Sequence, residues 1–175
     1  MTTILGAMRT ILTLPDERLR GRARKVRLPD RGIVRLAQEM ADRLTSTGGI
    51  GLAAPQLGEP LRLIIVAEGS RVLVLANPEF VVRDGRQEGW EGCLSVPGLV
   101  GWVERAAEVV LAAQDLTGRH QRFRRTGLMA RAFEHELAHL DGRLYVDGLA
   151  PERILDTREQ PVDLADRTLP GPTDA

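Results

Sequence analysis

The sequence predicts an α+β fold with antiparallel or mixed β-sheet, on three observations. Apolar residues recur at helical spacing in two stretches, one after Asp30 and one after Thr126. Between them, residues 61–125 break into short β-prone runs separated by turn signals. No helical segment interrupts those runs, so neighbouring strands can pair as hairpins without crossover helices. At 175 residues the chain is long enough for one domain with its own core. We place that domain at 1–150 and an irregular tail at 151–175.

Asp30 can cap the first helix, along which Ile33, Leu36, Ala37, Met40, Ala41 and Leu44 return with helical periodicity until Gly48 and Gly49. The segment Gly49 to Gly58 follows. Its side chains are too short to fill a core, and its backbone can be approached closely. It lacks the Lys-Ser/Thr ending of a phosphate loop and the glycine spacing of a dinucleotide site. Strands are expected over 61–67, 71–75, 80–83, 99–103, 108–112 and 121–124. Turn signals stand at Gly69, Asn77-Pro78, Asp84-Gly85, Pro97-Gly98 and Thr117-Gly118. Thr126 is placed to cap a second helix that carries Leu128, Ala132, His135 and His139 on one stripe and closes at Gly142. Prolines at 151, 161, 170 and 172 make the tail irregular.

Lys plus Arg and Asp plus Glu both number 24, so no global basic field favours nucleic acid. Arg119, Arg122, Arg124 and Arg125 form a local cluster, which reads as a solvated strand face or turn and not as a binding patch. A single cysteine excludes an intramolecular disulfide and fits a reducing compartment. The first residues lack a long apolar stretch, and no run approaches the roughly 18 apolar residues of a spanning helix. The expectation is a soluble cytoplasmic protein without membrane contact.

Two of the three histidines, His135 and His139, flank Glu136 in the stretch Glu134-His135-Glu136-Leu137-Ala138-His139. On a helix, residues four apart lie roughly 40° apart around the axis and about 6 Å apart along it, so both imidazoles can reach one divalent ion. Glu136 then stands about 100° off that face, near the open position of the ion, where a carboxylate can accept and return a proton. Metal-assisted hydrolysis needs this arrangement. A catalytic ion usually takes a third protein ligand, and Cys93 is the strongest chemical candidate. His120 stands among arginines and reads as solvent-exposed.

Three segments taken together, Gly49 to Gln56, Glu91-Gly92-Cys93-Leu94-Ser95 and His135-Glu136-Leu137-Ala138-His139, resemble in order and spacing the signature motifs of peptide deformylases. The likeness extends from the Pro15 to Arg20 segment to Gly148. It implies sheets surrounding a central metal-binding helix. It also implies an enzyme that removes the N-formyl group from the initiator methionine of nascent polypeptides and releases formate. The ion would be ferrous iron, which zinc, nickel or cobalt can replace. By the same resemblance Cys93, His135 and His139 hold that ion and Glu136 is the general acid/base. The Gln56 side-chain amide and the Leu94 backbone N–H then stabilise the oxyanion. Gly49 and Gly51 would let a peptide backbone approach, and Ile50 with apolar side chains of the second helix, such as Ala132, would receive the methionine side chain. The partners implied are N-formyl-methionyl nascent peptides. Transient ribosome contact is compatible with that reading, and direct reading of nucleic acid is not expected.

Three positions depart from the pattern usual in that family. Glu134 stands where Gln is common, Ala138 where Asp is common, and Val100 where many members carry a basic residue near the peptide. Arg105 matches a usual basic position and, without an Asp at 138, should rely on Glu91 or Glu134. Two other readings compete with deformylation. A general zinc protease would share the His-Glu-x-x-His motif, but Cys93 and the other two motifs argue against it. A deformylase-like paralogue that binds formyl-peptide or metal without efficient turnover would have no need of an acid/base at Glu136 or of Gln56, whereas one with altered substrate preference would keep both and differ in positions such as Glu134, Ala138 and Val100.

Overall fold

A computed structural model describes residues 9–166. Helix α1 (Arg31–Thr47) begins where the sequence places it, with the Asp30 side chain accepting the Ile33 N–H at 2.9 Å. It ends at Gly48, whose φ of 67° is the left-handed turn that a residue without Cβ tolerates. Eight strands follow in chain order around a second helix: β1 (Gly51–Ala53), β2 (Leu63–Glu68), β3 (Arg71–Asp84), β4 (Gln87–Cys93), β5 (Val96–Arg105), β6 (Glu108–Gln114), β7 (His120–Thr126), then α2 (Gly127–Leu140) and β8 (Ile154–Asp156). They form a five-stranded sheet in the order β1-β2-β3-β6-β7 and a three-stranded sheet in the order β4-β5-β8. Every pairing among these strands is antiparallel.

Strand β2 shows why the larger sheet is covered on both faces. Its alternate side chains Ile64 and Val66 pack with Phe133, Leu137 and Leu140 of α2. Leu63 and Ile65 pack with Leu36, Met40 and Leu44 of α1. A strand buried on both faces reads as a continuous apolar run, as Leu63 to Val66 does. Phe133, fully buried, alone is worth about 1.5–3 kcal/mol of transfer free energy. The smaller sheet builds a separate core from Val96, Leu99 and Val103 with Tyr145, Val146 and Ile154. Helix α2 touches strands of both sheets, so the expected α+β arrangement around a central helix is the one observed.

The structure differs from expectation where local signals are weak. β1 and β8 have three residues each, too few to show alternation. β4 shows no apolar alternation, because the side it buries carries polar groups such as Glu91. Asn77-Pro78, expected as a turn, lies inside β3 as a bulge. Asn77 takes a φ of 51°, its side chain bonds both the N–H and the carbonyl of Val26, and the register skips between Ala76 and Glu79. Pro97-Gly98 likewise lies inside β5, and the chain reverses instead at Leu94-Ser95, with Cys93 paired to Val96. Thr126 stands at the cap of α2 without a capping side-chain bond. The tail expected to be irregular contributes β8 and the buried side chains of Ile154 and Val162. Its remainder beyond 166 lies outside the described residues.

Candidate metal centre

Strand β4 and helix α2 run side by side in the same direction. Two strand residues advance about 6.7 Å and four helix residues about 6.0 Å, so odd positions of β4 stay in step with every fourth position of α2. The Gln87 amide donates to the Gly127 carbonyl at 2.8 Å, Glu91 meets His135 at 2.9 Å, and Cys93 Sγ lies 3.3 Å from His139 Nε2. This seam brings a cysteine at the end of a strand to two histidines one helical turn apart. The donor atoms of Cys93, His135 and His139 lie within 4.8 Å of one another, and among the described residues they are the group so placed.

Two of the three donors, His135 and Cys93, are held from behind. Glu91 accepts the Nδ1–H of His135, which leaves Nε2 free for an ion. Glu91 is also bound by Arg105, through Nε at 2.9 Å and Nη2 at 2.8 Å. Of the two carboxylates expected to serve Arg105, Glu91 is therefore the partner. Glu134 instead accepts from Arg83 Nε at 2.5 Å and from the Ala106 N–H at 3.1 Å. Tyr145 stacks on His135, ring centroids 6.0 Å apart, and its hydroxyl donates to the Leu99 carbonyl. Cys93 Sγ accepts from the Ser95 N–H at 3.4 Å and from the Gln56 amide at 3.5 Å.

The electrostatics follow from burial and from these partners. Burial alone would raise the Glu91 pKa, but the Arg105 and His135 bonds outweigh it and bring it to about 2. Burial opposes charge on His135, yet the Cys93 and Glu91 bonds push its pKa up to about 10. An ion entering the site therefore competes with protons. His139, 1 % exposed, is pushed well below the imidazole range by burial and by the charge of His135. Burial raises Glu136 to about 7, near neutrality, where a carboxylate can both take and give a proton.

The donor set fits a divalent ion. Tetrahedral bonds of about 2.0–2.3 Å require ligand atoms a few ångströms apart, which these already approach. Glu136 Oε2 is buried without a hydrogen-bond partner, an arrangement expected beside an ion and its water but costly in a site of packing alone. Glu136 also lies against Gly51, where a Cβ would come within 2.8 Å of the carboxylate's Cγ and Cδ. That contact explains a glycine at a position whose φ does not demand one.

A cleft opens beside the metal site, bordered by Gly49, Ile50, Gly51, Cys93, Leu94, Ala132, His135 and Glu136. Ile50 is 43 % exposed there, so it lines the cleft and is not core. Gln56, 2 % exposed, is fixed by the Ala53 N–H on its carbonyl oxygen at 2.8 Å and by Ser95 Oγ, 3.1 Å from its nitrogen. Val100 is half-exposed and paired with Gly92 of the cleft wall.

A sequence model of the polypeptide deformylase family matches residues 8–154. The chain belongs to the polypeptide deformylase family. The peptide deformylase of Syntrophomonas wolfei is 42% identical over 144 residues, covering 82% of this chain and 95% of that one. Among solved structures, the peptide deformylase of Legionella pneumophila superposes with a TM-score of 0.80 at 41% identity, covering 84% of this chain and 89% of that one. That of Thermotoga maritima superposes with a TM-score of 0.80 at 31% identity, covering 83% and 100%. The deformylase family removes N-formyl groups from nascent peptides, and this chain is a metal-dependent hydrolase of that kind. No helix among the described residues is long and apolar enough to cross a membrane.

His120, exposed at the start of β7, and the neighbouring arginines stand apart from the deformylase site. Sequence reasoning missed Ser95, Tyr145 and Arg131. Arg131 was the most legible of these, since it precedes His135 by one turn on the same stripe. Tyr145 reaches the site through tertiary packing and carries no local signal.

Proposed function

We propose that Cys93, His135 and His139 hold a ferrous ion, which zinc, nickel or cobalt can replace, and that the chain deformylates N-formyl-methionyl nascent peptides in the cytoplasm. The observation that carries this reading is the buried, unpartnered Glu136 carboxylate beside the three converging donors. An ion at that site supplies Lewis acidity and lowers the pKa of water. Glu136 removes the proton of the attacking water as the oxygen adds to the formyl carbon. The Gln56 amide and the Leu94 N–H donate to the oxyanion that develops; losing one such donor costs roughly a hundredfold or more in rate. Glu136 then returns the proton to the leaving amine, so formate and a free N-terminus separate.

Gly49 and Gly51 allow the peptide backbone close to the metal site, and Ile50 and Ala132 contact the first side chain. Cytoplasmic location and transient ribosome contact accord with a nascent-chain substrate. The test is anaerobic purification with metal analysis, followed by formate release from formyl-Met-Ala-Ser. One ion per chain and turnover are expected, with metal lost in Cys93→Ala. Equal metal in that variant would place the third ligand elsewhere.

A further inference from the structure

The seam between β4 and α2 has a rung unlike the others. At Gly89 the strand offers no side chain, and the Arg131 guanidinium lies over its backbone: a Cβ there would fall 2.6 Å from both Nη1 and Nη2. Arg131 Nη1 is buried and meets no acceptor among the described residues. The nearby carboxylates are committed elsewhere. Glu88 accepts from Arg153, Glu91 from Arg105 and His135, and Glu134 from Arg83. Yet Arg131 borders the cleft, one turn before His135, together with Ile50, Leu128 and Ala132.

A guanidinium only donates, and a buried donor without an acceptor is destabilising. A cleft meant only for a hydrocarbon chain gains nothing from one. Resting on the reading of this cleft as the peptide site, we propose that Arg131 is a specificity-determining residue that donates to a neutral acceptor oxygen at the end of the formylated residue's side chain. Ile50, Leu128 and Ala132 hold the aliphatic stem, and Arg131 meets its tip. The methionine thioether is a weak acceptor, so side chains ending in an amide or sulfoxide oxygen gain over it.

The experiment measures kcat/KM of the metal-loaded enzyme for formyl-Gln-Ala-Ser and formyl-norleucine-Ala-Ser, which are similar in length but differ in the terminal acceptor. Arg131→Leu is expected to lower the glutamine-to-norleucine ratio by roughly 10- to 100-fold, the range for one hydrogen bond to a charged donor. Gly89→Ala, whose methyl would displace the guanidinium, should lower it in the same direction with the charge retained. A ratio within roughly threefold of the wild type in Arg131→Leu, or in Gly89→Ala should the first variant not fold, is too small for such a bond and overturns the proposal. Wild-type turnover of formyl-Met-Ala-Ser separates the two readings. Its absence removes the cleft as peptide site, and its presence with an unchanged ratio removes only the role of Arg131.

Discussion

Glu91 Oε2 accepts the Nδ1–H of His135 at 2.9 Å, and this one bond fixes which imidazole nitrogen faces the metal site. Because Arg105 holds the same carboxylate with two bonds, the histidine is oriented by a group that is itself immobile.

Glu91→Gln should keep the fold and weaken metal binding by about 10- to 100-fold, the usual effect of losing a charged partner behind a ligand. Competition with a chelator of known affinity measures it. Unchanged affinity would show that Glu91 only packs.

The same carboxylate predicts a pH dependence in the metal-free protein. Its folded pKa of about 2 lies below the ordinary 4.5, so the group stabilises the fold above 4.5 and that contribution is lost as pH falls toward 2. Urea unfolding of wild type and Glu91→Gln should therefore converge as pH falls through this window. A constant gap would trace the difference to something other than titration.

Glu136→Gln should retain the ion and the fold but lose nearly all turnover, since an amide cannot accept the water's proton. Formate release with metal content measured on the same sample decides it. Near-normal rates would take Glu136 out of the mechanism.

Gly51→Ala places a methyl against the Glu136 side chain, which is 4 % exposed and has little room to withdraw. Misplacing the carboxylate by about 1 Å is expected to lower kcat by roughly a hundredfold with metal retained. Wild-type kcat would mean that the carboxylate adjusts without cost.

Ala138 borders a cavity shared with Arg105 and Glu134, so a carboxylate introduced there can compete with Glu91 for the guanidinium. Ala138→Asp should fold and should change metal affinity by no more than about 10- to 100-fold. Failure to fold would show that the cavity cannot accept the charge.

Helix α1, helix α2 and most strands of the larger sheet are legible in the sequence because their signals are local: a period, a cap, a turn residue. The two candidate ligand histidines are legible for the same reason, since four residues on a helix fix their relation. Cys93 was assigned by chemistry and resemblance, because no local rule relates a strand end to a helix 42 residues later. What only the tertiary structure decided is the seam of β4 on α2. That strand has no apolar alternation to announce it, because the side it buries carries Glu91 and ends at Cys93. The choice of Glu91 over Glu134 for Arg105, the stacking of Tyr145 on His135 and the unpaired Arg131 over Gly89 all depend on which faces meet. Side-chain periodicity fixes how each element presents its residues, and only packing fixes which element they are presented to.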